Sequence, residues 1–144
     1  MPISRPGLEG GCLCGAVRYR VEGAPLVSGI CHCRTCRRTA SAPMLPFLTF
    51  ALEQFLLIGG AAVDFHSSPD VIRSFCGRCG SPLTYRNAKE PGLIDVMTCS
   101  LDDSEAFAPT FHIWVSHKLD WEELSDRLIA YPTIQSSESE KVPE

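Results

Sequence analysis

The chain has 144 residues, 44% of them hydrophobic, and its 13 Lys and Arg against 17 Asp and Glu give a formal charge of -4. A chain of this length can bury a core without disulfides, and its charge disfavours a nucleic-acid partner because no basic field attracts a phosphate backbone. The N-terminus lacks the basic and apolar regions of a secretory signal, and no run of about 18 apolar residues follows, so we expect a soluble, cytoplasmic protein without a membrane partner.

Short strands dominate the predicted secondary structure. Segments rich in β-branched and aromatic residues, bounded by Gly, Pro, Ser or Asp, predict mostly antiparallel strands. These segments are residues 15–21, 43–50, 55–58, 63–66, 71–75, 82–86, 93–99 and 112–117. Helix is predicted only as one turn over residues 34–39 and over 120–128, where Asp120 and Glu123 stand at capping-box positions. We therefore expect a mainly β single domain over residues 1–132 and a polar, frayed tail over 133–144.

The eight cysteines include two tight pairs, CLC at 12–14 and CGRC at 76–79. In a reducing cytosol such cysteines are expected to be thiols or metal ligands rather than disulfides. A C-x-C segment points two sulfurs to one side of the chain, and a C-x-x-C turn followed by glycine does the same. The pairs together supply Cys12, Cys14, Cys76 and Cys79, the closed tetrahedral set of a structural zinc.

The remaining cluster, CHCRTC, supplies Cys31, Cys33 and Cys36 from one short segment. A zinc with three protein ligands keeps one open position, which is typical of catalytic sites. Cys99 or a histidine could close the site instead, although we expect Cys99 to be a small buried residue in a strand. The histidines are His32, His66, His112 and His117.

The histidines are weaker ligand candidates than the cysteines. Alternation along the chain turns His32 away from the two cysteines beside it. His112 and His117 lie five positions apart on a predicted strand, so they should face opposite sides and are expected to be structural. Phe111, Trp114 and Trp121 are expected to pack in the core or at its rim.

The strings GGCLCGAVRY, ICHCRTCRR, FCGRCGSPL, SLDD and HIWVSHKLDW together resemble the GFA family, the glutathione-dependent formaldehyde-activating enzymes and relatives such as centromere protein V. The resemblance runs from about Gly10 to about Tyr131. It implies a β-tent fold related to the zinc ribbon, with two zincs per chain. One zinc would be structural on the two cysteine pairs, and the second would lie on Cys31, Cys33 and Cys36. The implied activity is a carbon–sulfur lyase that joins glutathione to formaldehyde, and one departure is Cys99, which precedes SLDD where glycine is expected.

The charge of the second site favours thiol chemistry. Zinc with three thiolates carries a net negative charge, so activation of water is disfavoured, whereas a bound substrate thiol would become a nucleophile for a carbonyl carbon. Arg34, Arg37 and Arg38 flank the three cysteines and are candidates to hold the carboxylates of a glutathione-like ligand. A solvated basic turn is an equal alternative. Asp102 and Asp103 are candidates for a base or an anchor for a substrate amine, with Asp102 the one assigned to substrate binding, although a capping or turn role is favoured for both.

Two classes of function follow from these residues. The first is a zinc-dependent lyase or synthase that adds a small thiol to an aldehyde, and the second is a non-catalytic zinc module that binds a protein or nucleic acid. Redox sensing by metal-free Cys31, Cys33 and Cys36 is a third possibility. The three-thiolate set and the neighbouring arginines favour the enzyme, while the sequence does not set the oligomeric state.

Overall fold

The structure is a computed structural model that describes residues 8–135. Within these residues the fold is mainly β with short helices, which confirms the predicted class. The strands are β1 (Leu8–Gly11), β2 (Arg18–Val21), β3 (Val27–Cys31), β4 (Leu45–Ala51), β5 (Phe55–Gly59), β6 (Val63–Ser68), β7 (Val71–Phe75), β8 (Pro82–Asn87), β9 (Leu93–Met97), β10 (Phe111–Ile113) and β11 (Ile129–Ala130). The helical segments are α1 (Arg34–Ala40) and three 3₁₀ turns, Leu52–Gln54, Thr98–Ser100 and Val115–His117.

The described chain divides into two compact units. The first unit contains residues 8–27 and 48–107, and the second contains residues 28–47 and 108–135. The predicted single domain over residues 1–132 stays a prediction. Most of the predicted polar tail, residues 136–144, lies outside the described residues. None of the helices in residues 8–135 is long and apolar enough to cross a membrane.

The first unit is built from antiparallel strands. β1, β2 and β5 form a three-stranded sheet in that order, and β9, β8, β7 and β6 pair consecutively. Its core follows the two-residue period of strands, because Tyr19 and Val21 of β2 and Leu48 and Phe50 of β4 are fully buried. Cys12 and Cys76 belong to the same buried cluster.

The second unit contains a short parallel arrangement that the sequence did not predict. β10 pairs in parallel with β3 on one side and with β11 on the other. β3 was missed because Gly29 interrupts its apolar pattern. A Cβ atom at Gly29 would lie 2.7 Å from the Phe111 ring and 3.0 Å from the Phe47 ring, so glycine permits the close approach of these rings.

Two predicted elements are wrong in the second unit. Residues 120–128 form no helix, since Trp121 is 70% exposed and no apolar face is buried that would stabilise so short a helix. Arg127 also adopts a left-handed conformation with a φ of 63°. The predicted strand over residues 112–117 ends at Ile113, because Trp114 is left-handed and the chain then enters a 3₁₀ turn. The helical turn predicted after CHC is confirmed as α1.

Candidate metal centres

Four cysteines of the first unit converge on one point, and we call them the four-cysteine cluster. Its members are Cys12, Cys14, Cys76 and Cys79, whose sulfur atoms all lie within 4.8 Å of one another. The Sγ atoms of Cys12 and Cys14 are 3.6 Å apart, and those of Cys14 and Cys76 are 3.8 Å apart. A tetrahedron with Zn–S bonds of about 2.3 Å has sulfur–sulfur edges of about 3.8 Å. The residues therefore fit a closed tetrathiolate zinc site.

Backbone amides point at the sulfurs of this cluster. The Val17 amide donates to Cys12 Sγ at 3.2 Å, and the amides of Arg78 and Cys79 donate to Cys76 Sγ at 3.4 and 3.5 Å. The hydrogen bond from Val17 is the main cause of a lowered pKa at Cys12. Such donors favour the thiolate form that a metal requires.

Ser81 links the two loops that carry the four-cysteine cluster. Its hydroxyl accepts a hydrogen bond from the Leu13 amide at 3.0 Å and lies 3.2 Å from Cys79 Sγ. The hydrogen bond from Ser81 lowers the pKa of Cys79 to about 5. Gly15 and Gly80 have φ angles of 80° and 79°, which allow the tight turns after each pair. The turns and hydrogen bonds of the two loops thus bring the four sulfurs together.

A second group, the three-cysteine cluster, lies where a strand meets a helix in the second unit. It consists of Cys31, Cys33 and Cys36, with all three sulfurs within 4.8 Å of one another. Cys31 ends β3 and is buried, while Cys33 caps the N-terminus of α1 and accepts the Cys36 amide on its sulfur at 3.3 Å. Among the described residues of this unit, no histidine or carboxylate joins the cluster. The arrangement supplies three of the four ligands of a tetrahedral zinc.

Hydrogen bonds among the three sulfurs favour a thiolate at Cys33. The thiols of Cys31 and Cys36, followed by the amides of Cys36 and Thr35, donate to Cys33 and lower its pKa to about 2. Hydrogen bonds with Cys33 and Cys36, together with burial, raise the pKa of Cys31. The Cys31 thiol therefore donates its proton in the hydrogen bond to Cys33. Negative charge at this junction is therefore already compensated by local donors.

The predicted alternatives for a fourth ligand have other positions. Cys99 is exposed and lies in the 3₁₀ turn Thr98–Ser100 of the first unit, so its expected burial in a strand is wrong. His66 is exposed on β6. The Nε2 atom of His117 lies 3.4 Å from Arg34 Nη1. The His117 ring packs against the Trp114 ring, with 4.9 Å between the ring centroids.

His32 and His112 are buried against each other, at 0% and 1% exposure. His32 Nε2 lies 2.8 Å from His112 Nδ1, and His112 Nε2 lies 2.8 Å from Asp126 Oδ2. Burial, reinforced by His112, lowers the pKa of His32 to about 4, so this ring is neutral at physiological pH. Both ring nitrogens of His112 therefore have partners, and its structural role stays a prediction. Asp126 was missed, because it lies in the segment predicted as a helix and nothing in its local pattern indicates a partner at position 112.

The three arginines of α1 differ in what they contact. Arg37 donates from Nε to the His32 carbonyl at 3.2 Å and from Nη2 to the His117 carbonyl at 3.1 Å, a structural role that the sequence did not indicate. Arg34 and Arg38 are exposed. All three line a surface depression of about 410 Å³ together with Ser41 and Ala42.

Asp102, the weaker substrate candidate, is paired with Arg18. The two guanidinium nitrogens donate to its carboxylate at 2.9 and 2.5 Å, and this lowers the pKa of Asp102. Of the two aspartates, Asp103 has the favoured turn role, since its Oδ1 accepts a hydrogen bond from the Glu105 amide at 3.2 Å. The Phe111 ring is buried as expected, whereas Trp121 is largely exposed.

The chain is similar to a protein family and to individual proteins of other organisms. The model of the family described as glutathione-dependent formaldehyde-activating enzyme matches residues 7–117. A Halomonas elongata protein named provisionally as a glutathione-dependent formaldehyde-activating enzyme is 32% identical over 130 residues, which cover 83% of this chain and 82% of that protein. A Schizosaccharomyces pombe protein named as an uncharacterized lyase is 33% identical over 94 residues, covering 62% of this chain and 66% of that protein.

A solved structure shares the fold. It is the crystal structure of a Rhodobacter sphaeroides protein, which superposes with a TM-score of 0.57 at 24% identity. The match covers 67% of this chain and 89% of the Rhodobacter chain.

Proposed function

The chain belongs to the glutathione-dependent formaldehyde-activating family, and we propose that it adds a small thiol of the glutathione type to formaldehyde or a related aldehyde at the three-cysteine cluster. The observation that carries this proposal is the convergence of three sulfurs, without a fourth ligand from the described residues of the same unit. The four-cysteine cluster would hold a separate structural zinc.

The donor set favours a thiol as the ligand that completes the site. Zinc at the three-cysteine cluster would lower the pKa of an incoming thiol and hold its sulfur as a nucleophile. Three thiolates make the site electron-rich, which disfavours the activation of water and hence hydrolysis. The site is therefore suited to carbon–sulfur bond formation.

The proposed reaction needs neither an oxidant nor a reductant. The thiol sulfur forms a bond to the carbonyl carbon, the π electron pair of the C=O bond moves to oxygen, and the proton lost by the thiol ends on that oxygen. The product is an S-hydroxymethyl adduct, and the reverse direction releases the aldehyde. This is the chemistry expected of a carbon–sulfur lyase.

Arg34 and Arg38 are proposed to bind the substrate carboxylates. Both are exposed, lie on the helix that carries Cys36, and line the depression on α1. Guanidinium groups bind carboxylates through paired charge-assisted hydrogen bonds, and a glutathione-like thiol carries two carboxylates. Arg37 donates two hydrogen bonds to backbone carbonyl oxygens, which fix the position of the helix. Fewer of its N–H groups therefore remain for the substrate. Asp102 is a secondary proposal for the substrate amine, since its carboxylate would first have to leave Arg18.

The proposal is tested by metal content and thiol binding on the same protein. We expect two zincs per chain and saturable binding of glutathione in calorimetry, which S-methylglutathione cannot reproduce because it lacks the thiol. Cys33→Ser should lose one zinc and the binding while the fold persists. Cys99→Ser is the matched control and should retain both zincs and the binding.

Catalysis is then measured by exchange spectroscopy on ¹³C-formaldehyde and glutathione at equilibrium. The exchange rate without protein reports the uncatalysed addition, and the increase with protein reports the enzymatic rate. Faster exchange with the wild type than with Cys33→Ser is expected. One zinc per chain, no thiol-dependent binding and no faster exchange would reject the enzyme and leave a zinc-binding module.

A further inference from the structure

We propose that Asp126, His112 and His32 form a positioning chain that fixes the two ligand cysteines on either side of His32. The inference rests on the proposed function only in assuming that the three-cysteine cluster binds a metal. None of the three residues is itself a ligand. They would act through the conformation of the segment that carries Cys31 and Cys33.

The chain runs from the protein surface to the ligand segment. Asp126 has a side chain that is 42% exposed, whereas His112 and His32 are buried. Two bonds of 2.8 Å join the carboxylate to His112 and His112 to His32. The Leu128 amide donates to the other carboxylate oxygen, Asp126 Oδ1, at 3.0 Å, so the outer end is also fixed.

The direction of donation follows from the carboxylate. Burial opposes ionisation, but hydrogen bonds from the Leu128 amide and His112 lower the pKa of Asp126, so the ionised carboxylate accepts a hydrogen bond from His112 Nε2. The second bond joins His112 Nδ1 to His32 Nε2, so one of these two ring nitrogens donates and the other accepts. The two bonds thus fix the orientation of both rings.

The main chain of His32 is held as firmly as its ring. Its amide donates to the Ile113 carbonyl at 3.0 Å, and its carbonyl accepts from Arg37 Nε at 3.2 Å. The parallel register between β3 and β10 places Ile113 opposite Cys31. With backbone and ring both held, the cysteines beside His32 have little freedom to turn away from a common centre.

Stability alone does not account for this network. His32 Nδ1 is buried and has no hydrogen-bond partner among the described residues. A buried polar network with an unsatisfied member is less favourable than apolar packing of the same volume. The inner end of the chain is nevertheless located between two metal-ligand candidates, which points to ligand orientation as its role.

The test is a Co²⁺ titration of the metal-free protein, followed by its visible and charge-transfer absorption. Asp126→Ala should weaken binding at the three-cysteine cluster by about 10–100-fold, as observed for partners outside the ligand shell of metal sites. The four-cysteine cluster in the same molecule is the internal reference and should keep its affinity. Asp126→Asn retains an oxygen that can accept from His112 and should recover much of the loss. Glu123→Ala, an exposed carboxylate of the same segment, should match the wild type.

A double variant separates orientation from stability. His32→Leu with His112→Phe replaces the buried polar pair by apolar side chains, and we expect it to retain or raise the melting temperature while binding at the three-cysteine cluster weakens. Full affinity in this double variant would overturn the proposal. If it fails to fold, Asp126→Ala and Asp126→Asn decide.

Two further outcomes are decisive. An Asp126→Ala protein with wild-type affinity and an unchanged cobalt spectrum would overturn the positioning role, and so would equal weakening at both clusters, which indicates a general loss of structure. A wild type that binds only one cobalt would instead refute the second metal site of the proposed function. The two failures are therefore distinguishable.

Discussion

Replacing Asp95 by asparagine should stabilise the protein at neutral pH. Asp95 lies on β9, where its Oδ1 accepts a hydrogen bond from Thr49 Oγ1 at 2.6 Å. Burial raises the pKa of Asp95 from 3.8 to about 6, although the bond from Thr49 opposes the shift. The folded state therefore holds this proton more tightly than the unfolded state does.

The size and sign of the effect follow from that shift. A carboxyl group with a raised folded pKa costs stability as pH rises from about 4 through about 6, and the full cost of about 3 kcal/mol is present above that window. Asparagine removes the cost and can still accept from Thr49, but it buries an amide NH₂ group in place of the second carboxylate oxygen, for which we assign a loss of about 1 kcal/mol. The free energy of unfolding of Asp95→Asn should thus exceed that of the wild type by about 2 kcal/mol at pH 8. This difference should be smaller by about 1.4 kcal/mol at pH 5 than at pH 8.

Urea unfolding of both proteins at pH 5, 6, 7 and 8 with saturating zinc measures this difference. The comparison cancels pH effects that the two proteins share, including proton competition at the cysteines. Asp103→Asn changes an exposed turn carboxylate and should show no such pH-dependent gain. A stability difference that is absent at pH 8, or that does not change with pH, would refute the burial argument.

Three further substitutions test other parts of the structure. Cys79→Ser should remove one zinc per chain and lower the melting temperature, because a structural zinc contributes its binding free energy to folding; metal analysis and calorimetry measure both. Arg38→Ala should weaken glutathione binding about fivefold, the effect of about 1 kcal/mol for an exposed ion pair, in a calorimetric titration. Gly29→Ala should lower the free energy of unfolding by about 1–3 kcal/mol, since the new Cβ would clash with the Phe111 ring.

Each of these substitutions has a matched control in the chain. Cys99→Ser removes an exposed cysteine outside both clusters and should keep the zinc content. Arg78→Ala removes an exposed arginine beside the four-cysteine cluster and should leave glutathione binding unchanged. Gly92→Ala adds a methyl group into open space. A variant that behaves like its control would show that the role assigned to that residue is wrong.

The sequence predicted features that depend on short-range geometry. Alternation over two residues places the sulfurs of Cys12 and Cys14 together, and a glycine-containing turn does the same for Cys76 and Cys79. The pairing of these two loops followed from counting the ligands of a tetrahedral zinc. Strands β4 to β9 were also visible, because their β-branched and aromatic residues are bounded by turn residues.

Features that depend on distant partners could not be predicted in this way. β3 is held by a parallel strand more than 80 positions away, and its glycine is explained only by the rings packed on it. The segment around Asp126 has the local signals of a helix, but its carboxylate bonds instead to a buried histidine and to the Leu128 amide. Tertiary contacts override weak local propensity in both cases.

The two cysteine clusters differ in what a bound metal could do for folding. The four-cysteine cluster joins residues up to 67 positions apart, from Cys12 to Cys79, so a metal there closes a long loop and restricts the unfolded chain. The three-cysteine cluster takes all its ligands from six consecutive positions, so a metal there closes only a very short loop.

A gain in stability is therefore a sufficient reason for a metal at the first cluster but not for one at the second. A metal bound by the three-cysteine cluster restricts few conformations of the unfolded chain, so its removal should change the melting temperature much less than removal of the first metal. Stepwise chelation followed by calorimetry measures the two contributions separately. A larger loss of stability on emptying the three-cysteine cluster would contradict this argument and make that site structural. A small loss, together with loss of thiol binding, would identify it as the site retained for chemistry.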